Sequence, residues 1–525
     1  MDADQVFQKL EELKQDEAMK EYYDRTDQSQ PPVYESKVRV DPPLVQKIRD
    51  EFPFFAIASV IYAILYTFCL YKNSSGITAP IYAVATIAYF YLGIRKMGIQ
   101  IKRESLFYAV GILLLGINLC MTDDGFIIVC DYIGIFLLLF SGLLHQFYED
   151  KDWGLSENLS AIFSTALGAI ESVAAPFVDL KIWKSRQKKE EKNPLWKSIL
   201  SGVLIGLPLL IVVLALLSSA DVVFGRFFQR FFRAFSMLEG IGDGVGIAVM
   251  TILVFLLSYG ILVKLAGCQK MDFHGKGKNG EPVIAITINA MLAVVYLLFS
   301  VIQILYLFLG RFSLPDGYTY AEYARQGFFQ LLVVCMINIV LVLICLYRFK
   351  ESKVLKGMLT VISGCTYIMI ASSALRMRMY VEAYDLTYLR VLVFWGLGLL
   401  FFLMSGIMVY IFYQKFPLFQ YCTVVVTVLY LGLAYAHPDY LIASCNLNEQ
   451  HISGHVDYHY LERLSADAFP AFRDAMEREE DSEYYEELSE GFDSYMIRQE
   501  RYRGSEKNVS LRRYNFSRAR QENGL

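Results

Sequence analysis

VLVFWGLGLLFFLMSGIMVYIFY, residues 391–413, is the stretch that decides the class of this protein. It contains no charged residue, and it exceeds the about 20 residues that a helix needs to cross roughly 30 Å of hydrocarbon at about 1.5 Å per residue. Backbone polar groups in lipid must find partners within their own segment, so the run is expected to be helical. The sequence therefore predicts a transmembrane helix here.

Ten more apolar runs of similar length occur along the chain, and 55% of its 525 residues are hydrophobic. The further runs are 53–71, 77–93, 105–121, 125–144, 195–217, 244–263, 283–309, 328–347, 357–375 and 418–436. The mean hydropathy is +0.37, and the formal net charge of −4 carries no information as a total. We predict an all-α integral membrane protein with a bundle of about eleven transmembrane helices.

Lys and Arg residues gather in every second connection between these runs. The connections 94–104, 179–198, 264–282 and 348–356, with Lys415, hold twenty of them, whereas the alternate connections hold nine. Short loops rich in Lys and Arg stay in the cytoplasm. The N-terminus is therefore predicted to be cytoplasmic and the C-terminus extracytoplasmic.

Two segments outside the eleven runs are predicted to be amphipathic helices that lie on the membrane. Residues 159–178 carry apolar side chains on one helical face, and a crossing there would turn a basic connection outward; a twelfth span remains the alternative. In ADVVFGRFFQRFFRAF (220–235), phenylalanines occupy one side, and Arg226, Arg230 and Arg233 occupy the other. This second helix either seals the bundle or binds anionic lipid headgroups.

These features divide the chain into five segments. Residues 1–50 are predicted to be a polar, partly disordered cytoplasmic tail, 51–144 a first four-helix membrane unit, and 145–194 a cytoplasmic amphipathic helix with a basic loop. Residues 195–436 form the main seven-helix membrane domain, and 437–525 an extracytoplasmic helical tail.

The extracytoplasmic tail combines helical periodicity with opposite charges. Apolar residues recur at helical spacing, residues 474–493 are acidic, and residues 498–520 are mostly basic. Opposite charges at close range attract. The pattern predicts two or three short helices whose acidic and basic stretches face each other.

Signatures of soluble enzymes and of metal or redox sites are missing from the sequence. The loop GKGKNGEP (275–282) lacks the lysine and hydroxyl of a phosphate-binding loop, and no HExxH, GxSxG or CxxC occurs. His451, His455 and His459 are spaced by four, which suits zinc on one helix face, but Gly454 weakens a helix there and solvated histidines are the favoured interpretation. We expect no metal, no cofactor and no nucleic-acid partner.

Asp131 is the clearest ionisable residue inside a predicted span. Such residues are costly in hydrocarbon and are functional hypotheses by default. It is either a proton or ion site, or a carboxylate bonded to a neighbouring helix. Asn118, Asn289 and Asn338 are interpreted as ordinary hydrogen-bonding residues between helices.

Four predicted outer segments place polar and charged residues against the ends of spans: SSAD (218–221), YTYAEYARQGF (318–328), RMRMYVEAYDLTYLR (376–390) and HPDYLIASCN (437–446). The candidate binding residues are Asp221, Tyr320, Glu322, Arg325, Arg376, Arg378, Tyr380, Arg390 and Asp439. With Asp385, these residues are interpreted as a charged outer pocket. The alternative is a set of surface ion pairs and snorkelling arginines, each worth at most about 1 kcal/mol.

The same segments carry a family resemblance. LLSSADVVF, YAEYARQGFFQLL, RMRMYVEAYDLTYLR, HPDYLIASCN, DYHYLERLSADAFP and the terminal RRYNFSR resemble an uncharacterised family of bacterial membrane proteins, domain of unknown function 4173, which is related to 4153. The chain departs from the family pattern at Asp385, where glycine usually precedes Leu-Thr. The resemblance implies a bacterial plasma-membrane location, and it implies no reaction.

Three functions remain open. The leading hypothesis is a non-enzymatic envelope sensor or scaffold that acts through the charged outer face, with membrane lipids and an envelope protein at the C-terminal tail as partners. A secondary, ion- or proton-coupled transporter is the first alternative, because Asp131 lies within a span and Pro208 interrupts another. The second is an outer-leaflet lipid- or glycan-modifying enzyme that uses Asp221, Glu322 or Asp439 as a base.

Overall fold

The computed structural model describes residues 42–149, 153–187, 241–267, 278–305, 328–448, 456–481, 484–503 and 511–524. Within these ranges the chain is helical and contains no β-strand, apart from an isolated bridge between Gly280 and Phe349. The all-α class predicted from the sequence is confirmed.

Thirteen helices precede the C-terminal region in the described ranges. They are α1 (Pro43–Asp50), α2 (Phe52–Leu70), α3 (Thr78–Lys96), α4 (Ser105–Met121), α5 (Gly125–Phe147), α6 (Leu155–Glu171), α7 (Ala175–Gln187), α8 (Ile241–Gly267), α9 (Pro282–Gln303), α10 (Phe328–Arg348), α11 (Lys353–Tyr384), α12 (Tyr388–Phe412) and α13 (Leu418–Tyr435). Every predicted span within those ranges forms one of the long helices, and the run 195–217 lies outside them.

Most of the long helices have the length and composition of membrane spans, whereas α4, with 17 residues, is shorter. Of those described, eight are long and apolar enough to cross a bilayer, and the pair α6–α7 makes a ninth if it counts as one broken span. Large apolar side chains cover their outward faces; on α9, Met291, Val294 and Leu298 are 63–70% exposed. Hydrocarbon, rather than water, suits such a surface. The protein is a multi-pass membrane protein, and the count of eleven stays a prediction.

The long helices pack as two neighbouring groups. Helices α2, α3, α4, α5 and α8 share apolar cores that include Phe55, Leu115 and Tyr259. Helices α9, α10, α11 and α12 share others. Helix α13 joins the groups, since its Tyr435 hydroxyl donates to a backbone carbonyl of α4 and it accepts a hydrogen bond from Trp395 of α12.

Helix α8 lies in a different group from the one expected. The order of spans predicts it within the seven-helix domain 195–436, whereas it packs against α2 and α6. The difference has a physical reason: hydropathy locates a span along the chain, but the neighbours of that span depend on side-chain complementarity, which hydropathy does not encode.

Residues 159–178 form the end of α6 and the beginning of α7, with a 58° bend between the two helices. A Cβ on Gly154, just before α6, would lie 2.7 Å from the Tyr347 ring at the end of α10. At the other end of α6, Glu171 pairs with Lys264 of α8 at 3.4 Å. Both ends of α6 therefore lie beside helix ends on one side of the bundle. This arrangement favours a helix that lies along that face over a twelfth crossing.

The C-terminal region is a compact helical layer. It contains α14 (Pro438–Asn446), α15 (Tyr458–Leu461), α16 (Phe469–Arg478), α17 (Tyr485–Arg503), α18 (Phe516–Asn523) and the 3₁₀ turns Ala466–Ala468 and Leu511–Arg513. We call residues 438–524 the cap. Its core contains Phe472, Leu488 and Tyr495, all fully buried, which agrees with the helical periodicity of the tail.

The charged stretches of the cap pair differently from the expectation. Among the described residues of the basic stretch, Arg498 pairs with Glu462 at 3.3 Å, and Arg518 pairs with Asp123 in the α4–α5 connection, with Nε–Oδ1 at 2.6 Å. Neither acid belongs to 474–493. The basic stretch therefore helps to attach the cap to the bundle.

The cap covers the end of the bundle where α2 meets α3, α4 meets α5, α11 meets α12, and α13 meets α14. We call this end the cap face. All four junctions belong to connections that the distribution of Lys and Arg predicts to be extracytoplasmic. Their assembly at one end agrees with the predicted alternation, whereas the side of the membrane stays a prediction.

Candidate functional site

A group of buried carboxylates lies between the cap and the bundle. It begins at the short connection between α4 and α5, where Asp124 caps the N-terminus of α5 by accepting a hydrogen bond from the Phe126 N–H at 2.8 Å. The other oxygen of Asp124 accepts the Tyr388 hydroxyl, from the first residue of α12, at 2.5 Å. Asp124 thereby joins the beginnings of two long helices.

Asp467 is the cap residue that enters this group. One of its oxygens accepts the Thr122 hydroxyl at 2.6 Å and lies 3.0 Å from Nδ1 of His437, and the other accepts the Asp123 N–H at 2.8 Å. Burial disfavours its charged form, but the hydrogen bonds of His437, Ser517 and Thr122, together with the charge of His437, outweigh burial and lower the pKa of the Asp467 carboxyl. Asp467 is therefore suited to remain an anion inside the interface.

Asp439 sits beside these groups at the beginning of α14, and it is only 5% exposed. One carboxylate oxygen accepts the Ser465 N–H at 2.8 Å. Burial, together with the negative charge of Asp124, raises the pKa of Asp439 to about 7. Burial likewise raises the pKa of Asp124. The group thus contains a carboxyl that changes charge near neutral pH.

Asp131 lies two helical turns farther along α5, about 10 Å from Asp124 by helix rise. It is fully buried; its carboxylate accepts the Asn118 amide of α4 at 2.8 Å and the Tyr430 hydroxyl of α13 at 2.7 Å. Asp131 is therefore bonded to both neighbouring helices, and its role as a proton or ion site stays a prediction. Asn118 bridges two helices, as expected.

Arg390, Tyr380 and Asp385 form the junction between α11 and α12. The Arg390 guanidinium lies over the Tyr380 ring, 4.2 Å from its centroid, and donates to the backbone carbonyls of Tyr384 and Asp385 at the end of α11. These carbonyls have no intrahelical partner, so a cation is favourable there. Arg390 holds the junction that supports Tyr388.

Arg376 and Arg378 do not belong to the carboxylate group. Arg376 is buried along α11 and donates to Gln303 of α9 at 3.4 Å, whereas Arg378 is exposed and pairs with Glu382 at 2.8 Å on its own helix. Of the predicted outer residues that the structure describes, Asp439 alone lies in the group.

Seven of the predicted site residues lie outside the described ranges. They are Asp221, Tyr320, Glu322, Arg325, Arg226, Arg230 and Arg233. The single outer pocket therefore stays a prediction.

A cavity of about 380 Å³ opens at the end of the bundle opposite the cap face, against Tyr91, Arg95 and residues 98–101.

Sequence reasoning missed Thr122, Asp123, Asp124 and Asp467 as functional candidates. Two adjacent acids in a three-residue connection between spans were one available signal, and the Ser465-Ala-Asp467 turn was another. The pairing itself joins residues 345 positions apart, and no periodicity reveals it. No group of residues suited to a metal occurs in the part of the chain that the structure describes.

A strap of cap residues, 511–518, closes over the α2–α3 junction. Arg512 donates to the carbonyls of Phe68 and Tyr71 at 3.1 and 2.8 Å, where the last turn of α2 leaves carbonyls unpaired. The Ile77 N–H donates to the Tyr514 carbonyl at 2.8 Å, and Asn515 donates to the Thr122 carbonyl at 2.8 Å. The RRYNFSR string is thus a docking segment.

Comparison with known proteins gives a family and no activity. No curated protein matches the chain, and no solved structure does. A family model matches residues 109–475, from within α4 to within α16, so it covers the later spans and the first part of the cap. The match is to number 4153, the relative of number 4173, and membership of number 4173 is not shown. The chain belongs to the family described as Domain of unknown function (DUF4153).

Proposed function

We propose that this is a plasma-membrane protein that senses or scaffolds the cell envelope through its cap, with the N-terminus in the cytoplasm and the cap outside. One observation carries the proposal: buried and partly buried polar contacts tie the cap to three helix junctions. Asp467 binds the α4–α5 connection, Asn446 binds Leu386 between α11 and α12, and Arg512 binds the end of α2.

These contacts would couple the cap to the bundle. Leaving one partner of a buried polar pair unsatisfied costs about 1–3 kcal/mol, and more for charged groups. A force or ligand that moves the cap would therefore shift several helix ends together. Membrane lipids would surround the spans, and an envelope protein would be the partner of the cap.

Single alanine substitutions at cap contacts test this function. Asp467→Ala and Asn446→Ala should reproduce the phenotype of a deletion strain, measured as sensitivity to low osmolarity and to wall-acting antibiotics, at unchanged protein level in membranes. Arg378→Ala, which removes an exposed pair on α11, is the matched control and should behave as wild type. Deletion cells that are sensitive while both cap variants stay resistant would contradict the proposal.

Secondary transport is the second candidate, and Asp131 supports it. A fully buried carboxylate held by α4 and α13 has the position of a proton-coupling group in the bilayer. Uptake of protons into vesicles that carry a pH-sensitive dye, screened with sugars and amino acids, would test it. Coupled uptake that Asp131→Asn abolishes would favour transport over sensing.

No observation favours the outer-leaflet enzyme. Of its three candidate bases, Asp221 and Glu322 lie outside the described residues, and Asp439 is buried beneath the Ser465 backbone. A general base must reach the proton that it removes from its substrate. In this arrangement Asp439 does not present its carboxylate to a substrate.

A further inference from the structure

Helices α9, α10 and α11 meet through unusually polar buried faces. Helix α9 shows the pattern most clearly, because its outward face carries Ile, Val, Leu and Met. Its buried residues are Ala285, Asn289, Ala293, Ser300 and Gln303. From Asn289 to Gln303 this face extends about 21 Å by helix rise. It therefore runs through most of the roughly 30 Å of hydrocarbon expected around a span.

Hydrogen bonds identify the residues that share this interface. Asn338 of α10 donates to the Thr366 hydroxyl of α11 at 3.0 Å, and Ser372 of α11 donates to Gln303 at 2.6 Å. Asn289 donates to the Cys345 sulfur of α10 at 3.3 Å. Ser373 lies within about 20° of Thr366 around α11, at 3.6 residues per turn. Ser363 precedes Thr366 by three residues and so lies on the same side of α11. We define the polar seam as Asn289, Ser300, Gln303, Asn338, Ser363, Thr366, Ser372 and Ser373.

Several polar atoms of the seam have no hydrogen-bond partner among the residues that the structure describes. They are Asn289 Oδ1, Ser300 Oγ, Asn338 Oδ1, Ser363 Oγ and Ser373 Oγ. All five residues are at most 2% exposed. Each buried polar group without a partner costs about 1–3 kcal/mol. The seam would carry a large penalty if it served only to join helices.

The interface between α2 and α3 shows how this chain satisfies hydroxyls where helices simply pack. The Ser59 hydroxyl lies 2.8 Å from the Tyr89 hydroxyl and donates to the Phe55 carbonyl at 2.7 Å. The hydroxyls of Tyr62 and Thr86 lie 3.1 Å apart. Every side-chain oxygen in that set has a partner within the protein. Buried unpartnered atoms elsewhere in the described helices are scattered, as at Asn118 Oδ1 and Thr165 Oγ1, whereas the polar seam gathers five of them.

We propose that the polar seam is a hydrated binding site for small uncharged molecules that donate hydrogen bonds, with water as the first occupant. The unpartnered amide oxygens of Asn289 and Asn338 can only accept, so an occupant must donate; the serine hydroxyls donate or accept. Among the described residues of the seam none is a carboxylate, so the site offers no counter-charge to a cation. The inference is independent of the cap and of the proposed function.

Native cysteines provide the probe. Cys335 lies 4.0 Å from the Thr366 carbonyl, Cys365 adjoins Thr366, and both are at most 3% exposed. Cys69 and Cys120 are equally buried in the other helix group. The full-length protein in lipid nanodiscs is treated with the neutral reagent hydroxyethyl methanethiosulfonate, and mass spectrometry measures the rate at each cysteine. We expect Cys335 and Cys365 to react at least about tenfold faster than the two controls; equal rates would overturn the proposal.

A second experiment fills the seam with larger apolar side chains. The double variant Ser363→Val and Ser373→Val adds apolar volume on both sides of Thr366, whereas Ser363→Ala with Ser373→Ala removes the hydroxyls and keeps the space. Labelling of Cys335 and Cys365 should slow in the valine variant alone, with Cys69 unchanged in both. Identical labelling of the two variants would mean that the reagent does not travel through the seam, and the proposal would fail.

Discussion

Asp385 adopts a backbone conformation that belongs to glycine. Its φ of 64° and ψ of 174° lie in a region that non-glycine residues occupy at a cost of about 1–3 kcal/mol. The family resemblance expects glycine at this position. We predict that Asp385→Gly raises the free energy of unfolding by about 1 kcal/mol, measured by thermal unfolding in detergent. Asp385→Ala removes the same carboxylate but keeps the Cβ, and it should bring no gain.

Asp439 should make the attachment of the cap depend on pH. The groups that face it are Asp124, Asp467, Tyr388 and Tyr460, from the α4–α5 connection, the cap and α12. The pKa of its carboxyl is about 7 in the folded protein and 3.8 ordinarily, so the folded state binds the extra proton between these values. The stability of the cap should therefore fall as pH rises from about 4 to 7 and then level off.

Asp439→Asn tests the pH effect, because asparagine retains the acceptor for Ser465 and cannot ionise. Hydrogen exchange of cap amides at several pH values is the measurement. The intrinsic exchange rate itself rises with pH, so the comparison uses protection relative to that rate. We expect less protection at pH 8 than at pH 5 in the wild type, and little difference in the variant. Asp467 acts in the opposite sense. Its lowered pKa stabilises the cap above about pH 4, and this stabilisation is lost only on stronger acidification.

At the scale of elements, the strap 511–518 depends on Gly76. Gly76 has a φ of +139°, and a Cβ there would lie 2.9 Å from the Arg512 carbonyl oxygen. Gly76→Ala should therefore release the strap, and trypsin should cleave after Arg512 and Arg513 several-fold faster, as mass spectrometry of the fragments would show. Gly125→Ala is the matched control, because nothing lies within 4 Å of its Cβ position. Equal cleavage in both variants would contradict the docking described.

The elements themselves were largely predictable from the sequence, and their contacts were not. Runs such as 391–413 match α12 (Tyr388–Phe412) because the thickness of hydrocarbon determines how many apolar residues a span needs. The partners of Asp467 depend on how distant segments pack, and charge pattern alone predicted a different pairing for the cap. Asp131 illustrates the limit: the sequence indicated that it needs a partner, but not that Tyr430 supplies one.

At the scale of the whole molecule, the predicted sidedness has a direct test in Cys445. This cysteine is exposed on the cap, whereas Cys69, Cys120 and Cys335 are buried. A membrane-impermeant maleimide added to intact cells should label Cys445, and Cys445→Ser should abolish the surface signal. If labelling requires permeabilised cells, the cap faces the cytoplasm and the envelope proposal is wrong.

The docking of the strap also imposes an order on biogenesis. Arg512 supplies the end of α2 with hydrogen bonds from a residue translated about 440 positions later than the helix that it serves. The α2–α3 hairpin therefore lacks these hydrogen bonds in the bilayer until the strap 511–518 has been synthesised. A nascent chain that stops before residue 511 leaves that hairpin open, and membrane quality-control proteases can distinguish it from the finished product.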